Sequence, residues 1–151
     1  MTVAGLDVST KAAHYVLWDG QKVLDAGEML VREDCAVIAQ ADIAYIEEIP
    51  YCQNQRTAIR LAEAVGHWQE RLDARDIKFR MIPVALWKSQ ALGKGNADKP
   101  TVKRIVKMLA GLGDEWPQDV YDACGIAMAG FALEKMAGVC ASGGSSCKPC
   151  N

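Results

Sequence analysis

Four carboxylate side chains stand where the local sequence does not require a charge. Asp7 interrupts an apolar run, Glu47 follows another, and Asp119 and Asp122 are three residues apart in a third region. That last spacing places both carboxylates on one face of a helix. A carboxylate within an apolar strand is costly to bury alone, so Asp7 needs a cation or a basic partner nearby.

Carboxylates from separate segments repel each other at one point unless divalent cations hold them together. Mg²⁺ fits this role because it takes carboxylate oxygens in octahedral geometry and keeps several water molecules, and Mn²⁺ is a plausible substitute. Two such ions, about 4 Å apart, clamp the attacking and leaving oxygens of a phosphodiester displacement. The pattern therefore predicts a site for two ions per active site, with the ligands Asp7, Glu47, Asp119 and Asp122.

Simpler interpretations of the same acids stay open at this point. Asp119 could be a helix N-cap, and Asp122 could be a first-turn acid that the helix dipole favours. Glu47 and its neighbour Glu48 could be solvated loop acids. Asp7 is harder to explain in this way, because its neighbours on both sides are apolar.

A basic segment lies between residues 88 and 107. Asp98 is its only acid, and its six basic residues are Lys88, Lys94, Lys99, Lys103, Arg104 and Lys107. A solvated helix face is the ordinary interpretation of such a run. Beside an acidic metal site, the same side chains can neutralise the phosphates of a nucleic-acid backbone and deliver that polyanion to a centre that repels it. Gly93 and Gly95 would let backbone amides approach a phosphate closely.

The distribution of charge separates these two features along the chain. The 151 residues carry 17 basic and 19 acidic side chains, a net charge of -2. Residues 1–48 sum to -6, residues 49–112 to +7 and residues 113–151 to -3. The near balance excludes a generally basic protein that coats DNA. No apolar run reaches the roughly 20 residues that a membrane helix needs, so we expect a cytoplasmic protein with no membrane association.

Hydrophobic periodicity predicts the elements that must position these residues. Short β-branched and aromatic runs within the first 30 residues predict two or three antiparallel strands. The further predicted elements are a short strand ending at Glu47, a helix over 53–75, a strand over 79–86, and helices over 101–109 and 117–136. Pro83 marks the strand over 79–86 as an edge or an end. This order indicates an α/β domain with a mixed β-sheet flanked by helices.

The chain resembles the RuvC family of Holliday-junction resolvases, within the ribonuclease H-like superfamily. Asp7 lies in GLDVST, Glu47 in YIEEIPYCQNQRTAIRLAEAVG, and the last two acids in PQDVYDACGIAMA. A fourth stretch, VALWKSQALGKGNADKPTVKRIVKML, carries Lys88 and Lys99 eleven residues apart around a Gly-Lys-Gly. The stretches follow the family's order and span most of residues 3–130.

The resemblance implies a ribonuclease H-like fold and a magnesium-dependent endonuclease that resolves four-way DNA junctions as a homodimer. It implies that Lys99 stabilises charge on the phosphate or the leaving group, and that the other basic residues hold the junction arms. The family commonly has an aromatic wedge three positions after the catalytic Glu. This chain has Pro50 there and Tyr51 next, so Tyr51 is the candidate wedge, and the departure would suit a phage or mobile-element member. Glu48 is an alternative ligand to Glu47, and we favour Glu47 because it directly follows its strand.

Other functions stay open on the sequence alone. A ribonuclease H-like nuclease could act on an RNA–DNA hybrid or a flap, and a non-catalytic protein could bind junctions without cutting them. An actin-like kinase also begins with an Asp on its first strand, but that fold needs two such domains and therefore a much longer chain.

The remaining candidate residues receive structural interpretations. His14 and His67 lack metal-ligand spacing, and Trp87 is expected as a core or interface anchor with no chemistry. Residues 1–138 are predicted as one nuclease domain. Residues 139–151 are predicted as a flexible Gly/Ser/Cys-rich tail, whose three cysteines fall one short of a structural zinc site.

Overall fold

Five strands form one mixed sheet in the computed structural model, which describes residues 1–30, 36–49 and 53–142, the last four of these without side chains. The strands are β1 (Val3–Val8), β2 (Ala12–Trp18), β3 (Val23–Leu30), β4 (Ile43–Glu47) and β5 (Lys78–Ile82). Their order across the sheet is β3-β2-β1-β4-β5. The first three strands pair antiparallel, whereas β1 with β4 and β4 with β5 pair parallel. The predicted α/β fold with a mixed sheet is confirmed.

Helices cover both faces of the sheet. They are α1 (Gln55–Asp73), α2 (Val84–Leu92), α3 (Lys99–Ala110) and α4 (Gln118–Ser142), with a short 3₁₀ helix over Ala36–Gln40. One apolar core joins α1 to one face, and a second core joins α2, α3 and α4 to the other. Among the described residues, no helix is both long and apolar enough to cross a membrane.

The alternation of side chains along β1 decides which residues reach which core. Ala4 and Leu6 belong to the core beneath α1, whereas Val3 belongs to the core beneath α4. Asp7 has the same parity as Val3 and therefore faces the α4 side of the sheet. Asp7 thus lies on the face that also carries α2 and α3.

Local sequence signals explain where two of the helices begin and end. The Asn54 side chain accepts a hydrogen bond from the Thr57 amide at 3.2 Å and caps α1. The Asp98 side chain accepts from the Thr101 amide at 3.0 Å and caps α3, which ends at Gly111 with a φ of 68°. Lys99, which follows the Asp98 cap, is therefore the first residue of α3.

The prediction of a strand over residues 79–86 is wrong in its second half. The strand β5 ends at Ile82, and Pro83 is the N-cap of α2, which begins at Val84. Proline suits a helix start because its missing N–H has no helical partner there and its φ is preset. The short helix α2 was therefore missed. The last helix continues to Ser142, beyond the predicted end near Met136.

Candidate active site

A close approach between α4 and β1 brings the acids together. A Cβ atom on Gly5 would lie 2.1 Å from the Ala123 carbonyl oxygen, so only glycine lets the helix backbone come this near. The contact lies one turn after Asp119 and directly after Asp122, and both of these acids lie near the start of α4. The helix is thus fixed against the strand that carries Asp7.

Three of the predicted ligands form one cluster. A carboxylate oxygen from each of Asp7, Asp119 and Asp122 lies within 4.8 Å of the other two. The side chain of Asp122 also accepts a hydrogen bond from Gln118 Nε2 at 3.1 Å, one helical turn earlier. Hard oxygen donors in this number and proximity fit a divalent cation such as Mg²⁺ or Mn²⁺.

The electrostatics of Asp7 show how strongly this cluster lacks positive charge. The pKa of Asp7 is raised from 3.8 to about 8, first by burial and then by the neighbouring carboxylates of Glu47, Asp122 and Asp119 in that order, while Lys99 acts in the opposite direction. A carboxylate with such a pKa holds its proton near neutrality unless a cation replaces it. A cation at this cluster would therefore relieve both the burial and the repulsion of the Asp7 carboxylate.

Glu47 stands at the carboxyl end of β4, outside the group of three, but near enough for its charge to raise the pKa of Asp7. Burial raises its pKa, and Asp122 adds to this, while a hydrogen bond from Trp87 and the charge of Lys88 act in the opposite direction. The indole Nε1 of Trp87 donates to Glu47 Oε2 at 2.7 Å. Glu48 is exposed, and its amide donates to the Ile82 carbonyl at the edge of β5.

The contact between Trp87 and Glu47 was missed by sequence reasoning, which assigned Trp87 no chemistry. Trp87 is 1% exposed, and α2 carries it across to the end of β4. A buried indole N–H needs an acceptor, so a tryptophan in a short helix beside a candidate catalytic carboxylate indicates a hydrogen bond between the two. Because α2 was not predicted, this hydrogen bond was not predicted either.

Two basic residues lie beside the carboxylates. Lys88 lowers the pKa of Glu47 and of Asp122, and its ammonium donates to the Ala97 carbonyl at 2.8 Å. Lys99 lowers the pKa of Asp7 and of Asp122 from the first turn of α3. Burial is the larger influence on Asp122, whose pKa is raised overall.

The outer part of the basic segment is engaged elsewhere. Lys103 Nζ lies 3.9 Å from Asp114 Oδ1, and Lys107 donates a hydrogen bond to the same oxygen. Lys103 also lies over the Tyr121 ring, 5.1 Å from its centroid. Lys94 lowers the pKa of Asp98, the cap of α3. Lys103, Arg104 and Lys107 belong to α3 and line an open groove there, which we call the surface beside α3. Lys94 lies near the start of the same helix. These residues are therefore not part of the carboxylate cluster.

The glycines of the basic segment have structural explanations. Gly93 ends α2 with a φ of 73°, and a Cβ atom on Gly95 would lie 2.9 Å from the Ala85 carbonyl oxygen. The candidate wedge Tyr51 lies outside the described residues.

His14 is a further residue that sequence reasoning placed in a purely structural role. It is 7% exposed, on β2, directly opposite Asp7 in the antiparallel register. Its Nε2 lies 3.0 Å from Glu28 Oε2, and its Nδ1 lies 3.6 Å from Asp119 Oδ2. Nothing in the spacing of these residues along the chain predicts this arrangement, because it depends on the register of three strands.

Comparisons with known proteins agree on one family. The family model described as crossover junction endodeoxyribonuclease RuvC matches residues 24–130. The crossover junction endodeoxyribonuclease RuvC of Caldicellulosiruptor saccharolyticus is 29% identical over 150 residues, covering 85% of this chain and 90% of that protein. The protein of the same description from Carboxydothermus hydrogenoformans is 33% identical over 113 residues, covering 74% of this chain and 66% of that protein.

A solved structure supports the same fold. It is described as RuvC from T. thermophilus in complex with a Holliday junction substrate, and it superimposes with a TM-score of 0.79 at 18% identity. The match covers 91% of this chain and 96% of that one. The central sheet and its helices are therefore arranged as in that protein.

Proposed function

The chain belongs to the RuvC family of crossover junction endodeoxyribonucleases, and from this premise we propose that it is a metal-dependent endonuclease that resolves four-way DNA junctions. The observation that carries the proposal is the convergence of Asp7, Asp119 and Asp122 beside Lys99. A cluster of this kind lies where a DNA phosphate can meet both a cation and a basic side chain.

The carboxylates are proposed to hold two Mg²⁺ ions, with Mn²⁺ as a substitute. When bound, such ions lower the pKa of water and stabilise the attacking and leaving oxygens of a phosphodiester displacement. Asp7, Asp119 and Asp122 contribute carboxylates from the cluster, and Glu47 contributes from the end of β4. Burial and mutual repulsion raise the pKa of Asp7, and the repulsion is relieved when a cation is shared.

Lys99 and Trp87 have separate roles in this proposal. Lys99 stabilises negative charge on the scissile phosphate or on the leaving oxygen, because its ammonium already interacts with Asp7 and Asp122. The indole of Trp87 fixes one oxygen of Glu47, so that the other oxygen keeps a constant direction.

The basic segment is proposed to bind the DNA backbone in two tiers. Lys88 and Lys99 lie next to the carboxylates and contact the phosphates nearest the cut. The surface beside α3 contacts phosphates farther away, with Lys94, Lys103, Arg104 and Lys107. Tyr51 is proposed as the wedge that enters the junction, on the resemblance to the family alone.

We further propose a homodimer. A four-way junction has two equivalent strands to cut, and a two-fold symmetric pair of active sites matches that symmetry. The helix α1 offers a candidate face, because Ile59 on it is 51% exposed.

The test of the nuclease proposal is the substitution Asp7→Asn, with Asp76→Asn in the exposed turn after α1 as the matched control. We expect Asp7→Asn to bind a four-way junction but to lose cleavage in Mg²⁺, and Asp76→Asn to cleave normally. The substrate panel should contain a four-way junction, a flap, an RNA–DNA hybrid and a linear duplex. Retained cleavage by Asp7→Asn, or a preference for the hybrid or the flap, would contradict the proposal.

A further inference from the structure

A row of three polar residues crosses three strands at the edge of the carboxylate cluster. Asp7 on β1 is opposite His14 on β2, and His14 is opposite Glu28 on β3. Adjacent residues in such a row share one face of the sheet. The imidazole therefore lies between the cluster and the exposed edge strand.

The surroundings of the imidazole are unusual for a buried side chain. Its Nε2 is satisfied by Glu28 Oε2 at 3.0 Å. Its Nδ1 has no hydrogen-bond partner among the described residues, although Asp119 Oδ2 lies 3.6 Å away. A movement of about 0.5 Å would bring that pair into the normal range for an N–H···O bond.

Asp119 has fewer anchors than Asp122 or Glu47. Its side chain is 46% exposed, at the first turn of α4. Asp122 has Gln118 as an anchor and Glu47 has Trp87. The only ion-pair partner of Asp119 among the described side chains is His14.

We propose that His14, oriented by Glu28, is a positioning residue that fixes the Asp119 carboxylate for metal binding. The inference rests on the proposed metal site, and it assigns the orientation of one ligand to a residue that is not itself a ligand. In the row Glu28, His14 and Asp119, a carboxylate holds the imidazole and the imidazole contacts the proposed metal ligand. Such an arrangement orients ligands in metal sites generally. The imidazole acts through Asp119, because the oxygens that lie within 4.8 Å of one another come from Asp7, Asp119 and Asp122 without a nitrogen from His14.

The test measures metal affinity rather than cleavage. Mn²⁺ is titrated into the full-length protein without DNA, and free Mn²⁺ is followed by its electron paramagnetic resonance signal. The variants are His14→Ala, which removes both nitrogens, His14→Asn, whose amide nitrogen stands close to the position of Nδ1, and Glu28→Gln. The matched control is His67→Ala, since His67 is an exposed residue of α1 on the opposite face of the sheet.

We expect His14→Ala to weaken Mn²⁺ binding by roughly 10- to 100-fold, the usual cost of removing a group that orients a metal ligand. His14→Asn should recover much of that loss, Glu28→Gln should cause a smaller loss, and His67→Ala should bind as the unaltered protein does. A purely structural role would instead lower thermal stability and leave Mn²⁺ affinity unchanged.

Three results would overturn the proposal. Folded His14→Ala with unaltered affinity removes the positioning role, and equal losses in His14→Ala and His14→Asn assign the effect to packing. A nitrogen coupling from His14 in the electron spin echo spectrum of bound Mn²⁺ would make it a ligand instead. If His14→Ala does not fold, His14→Asn and Glu28→Gln decide by the same titration. Failure of the nuclease proposal is distinguishable, because it would appear as normal Mn²⁺ binding without junction cleavage.

Discussion

The carboxylate cluster and the surface beside α3 handle charge in opposite ways. In the cluster, burial and mutual repulsion raise the pKa values of Asp7, Glu47 and Asp122. On the surface, Lys107 and Asp114 are paired, so the pKa of the lysine is raised and that of the aspartate is lowered. Raised carboxyl pKa values mark a region where negative charge is not balanced by the protein's own cations. Paired shifts of opposite direction mark a region that is already neutralised.

Because of this difference, we expect the two regions to respond differently to the removal of one charge. In the cluster, each acid is a ligand candidate, and its loss removes part of a site. On the surface, each lysine is exchangeable between Asp114 and a DNA phosphate.

The largest effect is expected at Glu47. Glu47→Gln keeps an acceptor for the Trp87 indole but removes the charge, so we expect junction cleavage to fall at least about 100-fold, or about 2.7 kcal/mol of transition-state stabilisation. Trp87→Phe keeps the charge and removes the donor, and it should cost about tenfold. Single-turnover cleavage at saturating Mg²⁺ measures both. A loss in Trp87→Phe as large as that in Glu47→Gln would mean that the site requires the hydrogen bond as much as the charge.

A smaller loss is expected at Lys99. Lys99→Met keeps the aliphatic stem and removes the ammonium, so cleavage should fall by roughly 10- to 100-fold while junction affinity changes little. Lys103→Met is the matched control on the same helix, and it should leave the rate at saturation unchanged but weaken junction binding. Measuring rate and affinity separately for both variants decides. A rate defect in Lys103→Met as large as that in Lys99→Met would remove the distinction between the two regions.

The sequence predicted most of the elements because their periodicity is local. The amphipathic pattern of α1 and the acid at the end of β4 are found where they were expected. The short helix α2 escaped because one apolar run crosses from β5 into it, and Pro83 has the same appearance at a strand end as at a helix start. Local propensity cannot separate these two possibilities within one apolar run.

The candidate site was only partly predictable for a different reason. Carboxylates in apolar segments are visible in the sequence, and so is the approach of Lys88 and Lys99 through the resemblance to a family. The pairings of Trp87 with Glu47 and of His14 with Asp119 join residues 40 and 105 positions apart. Such pairings depend on strand register and on where α4 crosses β1, which no spacing rule records.

A stability effect of intermediate size is expected from Asp7 in the protein without metal. The pKa of Asp7 is raised from 3.8 to about 8 in the folded state, so the folded protein holds this proton more tightly than the unfolded chain. Stability from that proton is complete below about pH 4 and is lost as the pH rises to about 8. Asp7→Asn has no carboxyl group to ionise, so its stability should not fall in this way. It should be more stable than the unaltered protein at pH 8 by at least about 1 kcal/mol, since one pKa unit corresponds to about 1.4 kcal/mol.

Denaturant unfolding in a metal chelator at pH 4, 6 and 8 measures this difference, which should grow with pH. Added Mg²⁺ should stabilise the unaltered protein and have much less effect on Asp7→Asn, because a ligand that binds only the folded state stabilises it. A difference between the two proteins that stays constant with pH would show that Asp7 is not the group that titrates.

The smallest effect is expected from Asp114→Asn on the surface beside α3. This substitution releases Lys103 and Lys107 from their shared partner without adding a charge of its own. Both lysines then neutralise phosphates without first leaving an aspartate, so junction affinity should rise about two- to threefold and its salt dependence should become steeper. The rate of cleavage at saturation should not change, because the pair lies outside the carboxylate cluster. Unaltered affinity at all salt concentrations would mean that DNA does not reach this surface. The basic residues that contact the DNA backbone would then extend no farther than Lys99.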